Sequence, residues 1–497
     1  MPPDLKKRAL LVKRYITMAS SCLCMAAAGS LFSFSVISGD IKKQLSYTAS
    51  DLSLVSGIGN SSIYISCLLI GPLYDYIGAN WTMLCGVILY SFGYALMYLA
   101  YIGKISGSAG WMAVYYFIVG MGSTCGYIAG IAINVKNFGA TSYLGMVIGI
   151  LLLFYGLSGT IYSQVYHGLF LGNTSGFLLF LAVSVAVVNM ISTFTFFEAP
   201  VPVLVPEAIV VEERPSTETL TEVIRDMEVV EDVRDMSMQG SLQRRRCSNS
   251  TITSGADSFL KVTGRSAGGV GGTVRSRRAT SQTEVSLSPV QILKTPIFWI
   301  FSCGYIFMQG LTYISNFLLI LQAARGADAS ASDVAYQNAT HMTIISVFQS
   351  LGRLFFAVGL DWLPPINQWK TDRSALFLVT QVLVLLPSII LACGATSDAW
   401  FYFSSICIGF GFGGGGACFP VLTKDYFGTK FYGTACGFVM AAVPLGVLLS
   451  NQVFGLFYDK KADSAGNCYS SECYSKAFGV LSGIECIALV ACITLLV

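Results

Sequence analysis

Charge is what this chain has least of. Asp, Glu, Lys and Arg make up 11% of its 497 residues, where soluble domains carry roughly a quarter, and that shortage excludes an ordinary soluble enzyme. Histidine is nearly absent, with His167 and His341 alone. No histidine cluster or paired CxxC set is present, so zinc and copper find no ligands and no metal site is expected. Nucleotide loops and nucleophile–base pairs are also missing. These gaps leave no enzyme chemistry, no cofactor and no nucleic-acid partner to argue for. Apolar length is abundant instead: 54% of residues are hydrophobic and the mean hydropathy is +0.65, which excludes disorder as the dominant state. A polytopic membrane protein in a lipid bilayer is the class that remains.

Apolar stretches run near 15–37, 52–73, 81–101, 111–133, 143–167 and 175–197, and again near 297–321, 338–360, 374–394, 398–420, 431–456 and 477–497. Each is long enough to cross about 30 Å of hydrocarbon as a helix. Lipid offers backbone groups no water, and the runs lack the alternation of barrel strands, so helix is the expected form. The first span follows Lys6, Lys7, Arg8, Lys13 and Arg14. Its apolar stretch exceeds a signal-peptide core, so a retained helix after a cytoplasmic segment 1–14 is the reading. Two six-helix units are expected, 15–197 and 297–497.

Between them, residues 198–296 hold thirteen acidic and twelve basic residues, many serines and a glycine cluster at Gly268–Gly272. That composition reads as a disordered cytoplasmic linker. Arg245-Arg246-Cys247-Ser248 and Arg277-Arg278-Ala279-Thr280 place hydroxyls after paired arginines, a pattern for a basic-directed kinase. The segment is therefore a solvated tether or, alternatively, a phosphorylation switch at Ser248 and Thr280. Outside it, eleven lysines and arginines fall on the face of the termini and seven on the other. The balance puts both termini inside. Sequons occur on both faces and decide nothing. The plasma membrane is favoured over a vacuolar or endosomal one. Most of the fifteen cysteines lie inside spans as small apolar residues. Cys468 and Cys473 share an outer loop, where they bridge if that face is oxidising and stay free if it is not.

The two halves repeat each other. Gly120, Gly122 and Gly126 of the fourth span recur as Gly409, Gly411 and Gly415 of the tenth, and Phe138-Gly139 with Tyr143 recur as Phe427-Gly428 with Tyr432 at the same displacement. Related halves joined by a flexible segment are the signature of a transporter with its substrate near mid-bilayer. Local wording adds to this: Ala28-Gly29-Ser30-Leu31-Phe32 leading to Ser38-Gly39-Asp40-Ile41-Lys42, then Phe92-Gly93-Tyr94, Val135-Lys136-Asn137-Phe138, Gly156-Leu157-Ser158-Gly159 and Gly455-Leu456-Phe457-Tyr458-Asp459. With these residues the chain resembles the major facilitator superfamily, in its nodulin-like and monocarboxylate-transporter-like branch. The resemblance implies an all-α membrane protein of twelve transmembrane helices in two pseudo-symmetric six-helix bundles. It also suits an outer-loop Cys468–Cys473 pair.

The family's loop between spans two and three has glycine, aspartate and then basic residues. Here Gly71 to Asn80 keeps the glycines and Asp75 without the basic positions. Asp75 is expected to gate by capping a neighbouring helix N-terminus, and Asp361 is its counterpart in the second half.

Arg353 is the residue from which the chemistry is argued. It stands eight positions before Asp361, roughly 12 Å up the eighth span. A charge at that depth implies a wet cavity or a partner, and a guanidinium binds carboxylate in a fork. The competing reading has Arg353 snorkelling to the inner surface or bracing the turn against Asp361. Gln349 one turn away, Gln309 and Asn316 of the seventh span, and Tyr127, Tyr155 and Tyr305 complete the candidate substrate site, each with interhelical bonding as its bland alternative. The oxalate carriers that the eighth span resembles have a lysine in the eleventh span. None stands between Phe431 and Phe454, which favours a singly charged substrate. A proton as second passenger needs a titratable group: Glu485, Glu198 and His341 are the candidates, with Glu485 expected to bond a neighbour and His341 to sit wet at the surface.

The expected function is a secondary carrier moving a small organic anion, a monocarboxylate such as pyruvate or lactate, by alternating access. An amino-acid or metal-chelate carrier is the alternative within transport. A non-transporting receptor or scaffold is the alternative outside it.

Overall fold

The structure is a computed structural model that describes residues 3–199, 286–307, 310–327, 329–363, 373–463 and 468–494. Gln309, Ser248, Thr280 and linker residues 200–285 lie outside the described residues.

Fourteen α-helices are described, in chain order: α1 Pro3–Ala28, α2 Phe34–Gln44, α3 Ala49–Tyr101, α4 Ala109–Phe138, α5 Leu144–Val165, α6 Thr174–Thr195, α7 Pro289–Lys294, α8 Pro296–Phe307, α9 Leu311–Arg325, α10 Ala331–Trp362, α11 Arg373–Ala392, α12 Asp398–Phe427, α13 Tyr432–Asp459 and α14 Glu472–Ile493. Eleven helical stretches are long and apolar enough to cross a membrane. The twelfth crossing is hidden in α3. Its 53 residues would span about 80 Å if straight, far beyond one bilayer. Gly78, at φ 80° and ψ 177°, breaks it into two arms, a conformation that an L side chain resists. Spans two and three are thus joined without a loop.

The boundaries differ from the hydropathy reading at three places. Helix α1 begins at Pro3, because Leu, Lys, Arg and Ala over 3–14 are strong helix formers, so this segment is not a separate tail. Arg14 is buried and donates from Nε to the Ala199 carbonyl at 2.5 Å. The seventh span is in two pieces, α8 and α9, the second opening at left-handed Gly310. Residues 286–294, counted with the linker on composition, form a capped turn and α7. Leu287 N donates to Phe427 O at 3.1 Å, and Ile292 is fully buried.

Within the first half α3 packs on α4 and α6; within the second, α10 packs on α12 and α11 on α14. Across the halves α3 lies against α13, and α10 against α5. A single buried cluster runs through both halves and includes Cys67, Leu152, Ala357 and Met440. Trp81, Trp111, Trp299, Trp362 and Trp400 are exposed near helix ends, as interfacial tryptophans are in membrane bundles.

Candidate functional site

Helices α5 and α13 start without a capping side chain of their own. Helix α5 follows Tyr143 and α13 follows Phe431, so their first-turn N–H groups need partners. Each receives a carboxylate from the opposite half. Asp75 accepts from Gly433 N at 3.0 Å, Thr434 N at 2.7 Å and the Thr434 hydroxyl at 2.7 Å. Asp361 accepts from Gly145 N at 2.6 Å and Met146 N at 2.7 Å. The missing basic positions leave Asp75 free of arginine, and backbone donors take their place. An anion at a helix N-terminus is favoured by the orphan donors and the helix dipole together.

The same end is tied further. Lys424 Nζ donates to Gly139 O at 2.9 Å. Arg373 donates from Nε to Leu360 O at 2.8 Å and pairs with Asp425 at 2.9 Å, both side chains nearly dry. We refer to this end, where residues 199 and 286 meet the linker, as the linker end.

From there two glycine seams climb between the halves. Gly71, Gly433 and Gly437 bring the backbones of α3 and α13 so close that a Cβ would collide with main-chain atoms. Gly145 does the same for α5 against the Ala357 carbonyl of α10, and a Cβ on Gly149 would collide with the Ala357 methyl. Small residues permit this approach, and dispersion rewards it. The seams end at two contacts. Cys67 Sγ meets Met440 Sδ at 3.7 Å, and a methyl on Gly156 would fall on the Arg353 guanidinium. Beyond them, towards the far end, polar side chains of the same four helices are exposed: Asn60, Thr160, Gln164, Thr343, Ser346 and Gln452.

Arg353 stands at that transition. It is 9% exposed, and its Nη1 donates to Leu152 O of α5 at 2.7 Å. Its hydrogen bond thus runs to α5 and not to Asp361, and near the end of α10 it is Arg373 that bonds the Leu360 carbonyl. Among the described residues no carboxylate pairs with it. The hydroxyl-bearing rings within electrostatic reach are Tyr127, Tyr155, Tyr305 and Tyr64. Tyr127 and Tyr155 lie 5.1 Å apart between ring centroids, Tyr155 also meets Phe32 at 5.4 Å, and Tyr305 stacks on Phe419 at 4.5 Å. The group therefore has a fixed cation, phenol donors and aromatic walls drawn from both halves. Tyr64 was not among the sequence candidates; its place on the same arm of α3 as Asp75 was the available signal.

Other candidates separate from this group. Asn316 donates to Thr312 O and to Asn451 Oδ1, each at 2.9 Å, tying α9 to α13. Gln349 is half-buried one turn from Arg353, with its carbonyl against Gly413. His341 is a correction: it is 1% exposed rather than wet, sandwiched between Phe317 and Tyr402 with Nδ1 2.9 Å from the Ser405 hydroxyl. Its helix face meets α9 and α12, which hydropathy alone does not reveal. Glu198 pairs with Lys136 at 2.9 Å at the linker end. Cys468 and Cys473 are joined by a disulfide.

The chain is 22% identical to the probable transporter mch1 of Neurospora crassa, over 94% of this chain and 86% of that one, and 23% identical to the probable transporter mch1 of Aspergillus fumigatus, over 95% and 84%. Its fold is similar to that of the proton:xylose symporter XylE, with TM-score 0.61 at 12% identity over 98% and 96% of the two chains, and to that of FucP, with TM-score 0.54 at 13% identity over 96% and 99%. The sequence profile of the Major Facilitator Superfamily matches residues 18–451. The chain belongs to the Major Facilitator Superfamily, a family of membrane transporters and not of enzymes.

Proposed function

We propose that this secondary transporter carries a small organic anion, a monocarboxylate such as lactate or pyruvate, and that Arg353 holds its carboxylate. The observation that carries the reading is a buried arginine at the junction of the halves without a carboxylate partner among the described residues. Such a charge is costly in a membrane protein unless water or a counter-ion meets it. A guanidinium offers a carboxylate two parallel hydrogen bonds, and Leu152 O takes up Nη1 while the fork keeps further donors. The hydroxyls of Tyr127 and Tyr155 then suit the remaining polar atoms of a small hydroxy- or keto-acid. Tyr305 adds the apolar wall, and Gln349 a further polar contact.

Alternating access follows from the seam. Asp75 and Asp361 act as paired latches that hold the linker end shut, while exposed polar residues at the far end form the open vestibule. On this reading both termini and the segment between residues 199 and 286 are cytoplasmic, the vestibule opens outward, and the membrane is the plasma membrane. The distant likeness to the mch1 transporters supports the monocarboxylate-transporter-like branch. Uptake of labelled lactate, pyruvate and neutral amino acids into proteoliposomes tests the proposal. Saturable lactate or pyruvate uptake that Arg353→Gln abolishes is expected. Uptake of neutral amino acids alone, or anion uptake indifferent to the substitution, would overturn it.

A further inference from the structure

A second intramembrane charge lies away from the seam. Glu485 of α14 lines a narrow cavity inside the second half, with room for about one or two water molecules. Thr312 and Tyr313 at the start of α9, Ser388 of α11, and Gly446 and Ser450 of α13 form its polar and close-packed walls. The Ser388 hydroxyl bonds the carboxyl, whereas Oε2 is buried without a partner. Of the helices packed around it, only α9 adds another titratable side chain to the lining, the Tyr313 phenol, and that hydroxyl is engaged with Ser405 at 3.1 Å. Among the described residues no lysine, arginine, histidine or second carboxylate lines the cavity.

A charged carboxylate with one oxygen unpartnered is disfavoured in such a place, so the favoured state is the neutral acid. The cavity is too small for an organic solute, which leaves a proton as its occupant. It also has a mechanical link to the transport seam. One stretch of α13, Gly433 to Met440, packs on α3, while Gly446 and Ser450 of the same helix wall the cavity. Pro444 lies between the two stretches. It cannot donate to the Met440 carbonyl, so a bend of the helix at this point breaks no further bond. A shift of α13 at the seam therefore moves the wall facing Glu485.

We propose that Glu485 is a proton-binding site of this carrier: the carboxylate takes up one proton from the water that reaches the cavity, holds it as the neutral acid while α13 packs against it, and returns it to water when α13 moves. The proposal deepens the anion-carrier reading and rests on it only for the coupling to uptake. Two measurements on the full chain separate these parts. In lipid nanodiscs, pH-difference infrared spectra of the wild type are expected to contain a titrating carboxyl band that Glu485→Gln lacks and Ser388→Ala displaces in pH. This readout needs no substrate. In proteoliposomes, a gradient of about one pH unit is expected to drive labelled lactate to a roughly tenfold ratio with the wild type, well before leak of the free acid does so in protein-free vesicles. Glu485→Gln is expected to lose that pH-driven accumulation. An infrared band unchanged in Glu485→Gln overturns the proposal, as does pH-driven accumulation that survives the substitution or accumulation that follows sodium instead. If the wild type moves no lactate, the anion reading fails and the infrared band alone judges Glu485.

Discussion

Neutralising Asp75 and Asp361 is expected to open the linker end of the seam. Asp75 accepts three hydrogen bonds at the start of α13, and Asp361 accepts two at the start of α5. Asparagine keeps the shape but loses the charge and one acceptor oxygen. A lost cap costs about 0.5–2 kcal/mol, and the lost charge–dipole attraction about 0.3–1 kcal/mol. Each substitution therefore shifts the closed-to-open equilibrium by about 1–2 kcal/mol, a factor of about 5–30. The two carboxylates share no partner, so the double variant is expected to be close to additive. Spin labels on Ser142 and Lys430, exposed residues on opposite halves at this end, report the separation by pulsed dipolar spectroscopy. The expected result is a longer-distance population that grows in each single variant and dominates in the double. Distance distributions identical to wild type in both singles, with melting temperatures unchanged, would refute the latch.

Three other outcomes follow from the geometry. Gly156→Ala places a methyl against the flexible end of Arg353, so lactate affinity is expected to fall about tenfold while stability changes by less than about 1 kcal/mol; uptake kinetics and thermal melting read the two effects. Gly78→Ala puts a side chain at φ 80° between the arms of α3 and is expected to destabilise by about 1–2 kcal/mol, seen as a lower melting temperature. Deleting residues 205–280 is expected to spare transport in vesicles if the segment is a tether, and loss of surface delivery in cells would reveal a trafficking role.

The twelve crossings were legible in the sequence because they rest on hydropathy over about 20 residues, which lipid enforces; the pseudo-repeat was read separately, from glycines and aromatics recurring at one displacement. Element ends were not. Helix α1 runs back to Pro3 on residues that are polar yet strong helix formers, and α3 hides a turn in one glycine. Arg353 could be singled out from its depth relative to Asp361, but its partner Leu152 O could not, since a backbone carbonyl leaves no mark on composition. The reciprocal caps were half-visible. Asp75 was an evident candidate, whereas the need for it lies in Tyr143 and Phe431, which fill N-cap positions with side chains unable to accept a bond from the first turn. His341 was misplaced because period and hydropathy do not say which face of α10 meets the rings of α9 and α12. Glu485 read as one more interhelical bond. Its significance depends on a cavity built by helices distant in sequence.

The central claim is that an organic carboxylate sits on Arg353 where the two halves meet, and equilibrium binding of labelled lactate to the purified protein tests it most directly. A hydrogen-bonded pair with a charged group contributes about 1.5–3 kcal/mol, so Arg353→Gln is expected to weaken binding roughly 10- to 100-fold, with Arg353→Lys intermediate because it keeps the charge and loses the fork. Undiminished lactate binding by a folded Arg353→Gln protein would contradict the account.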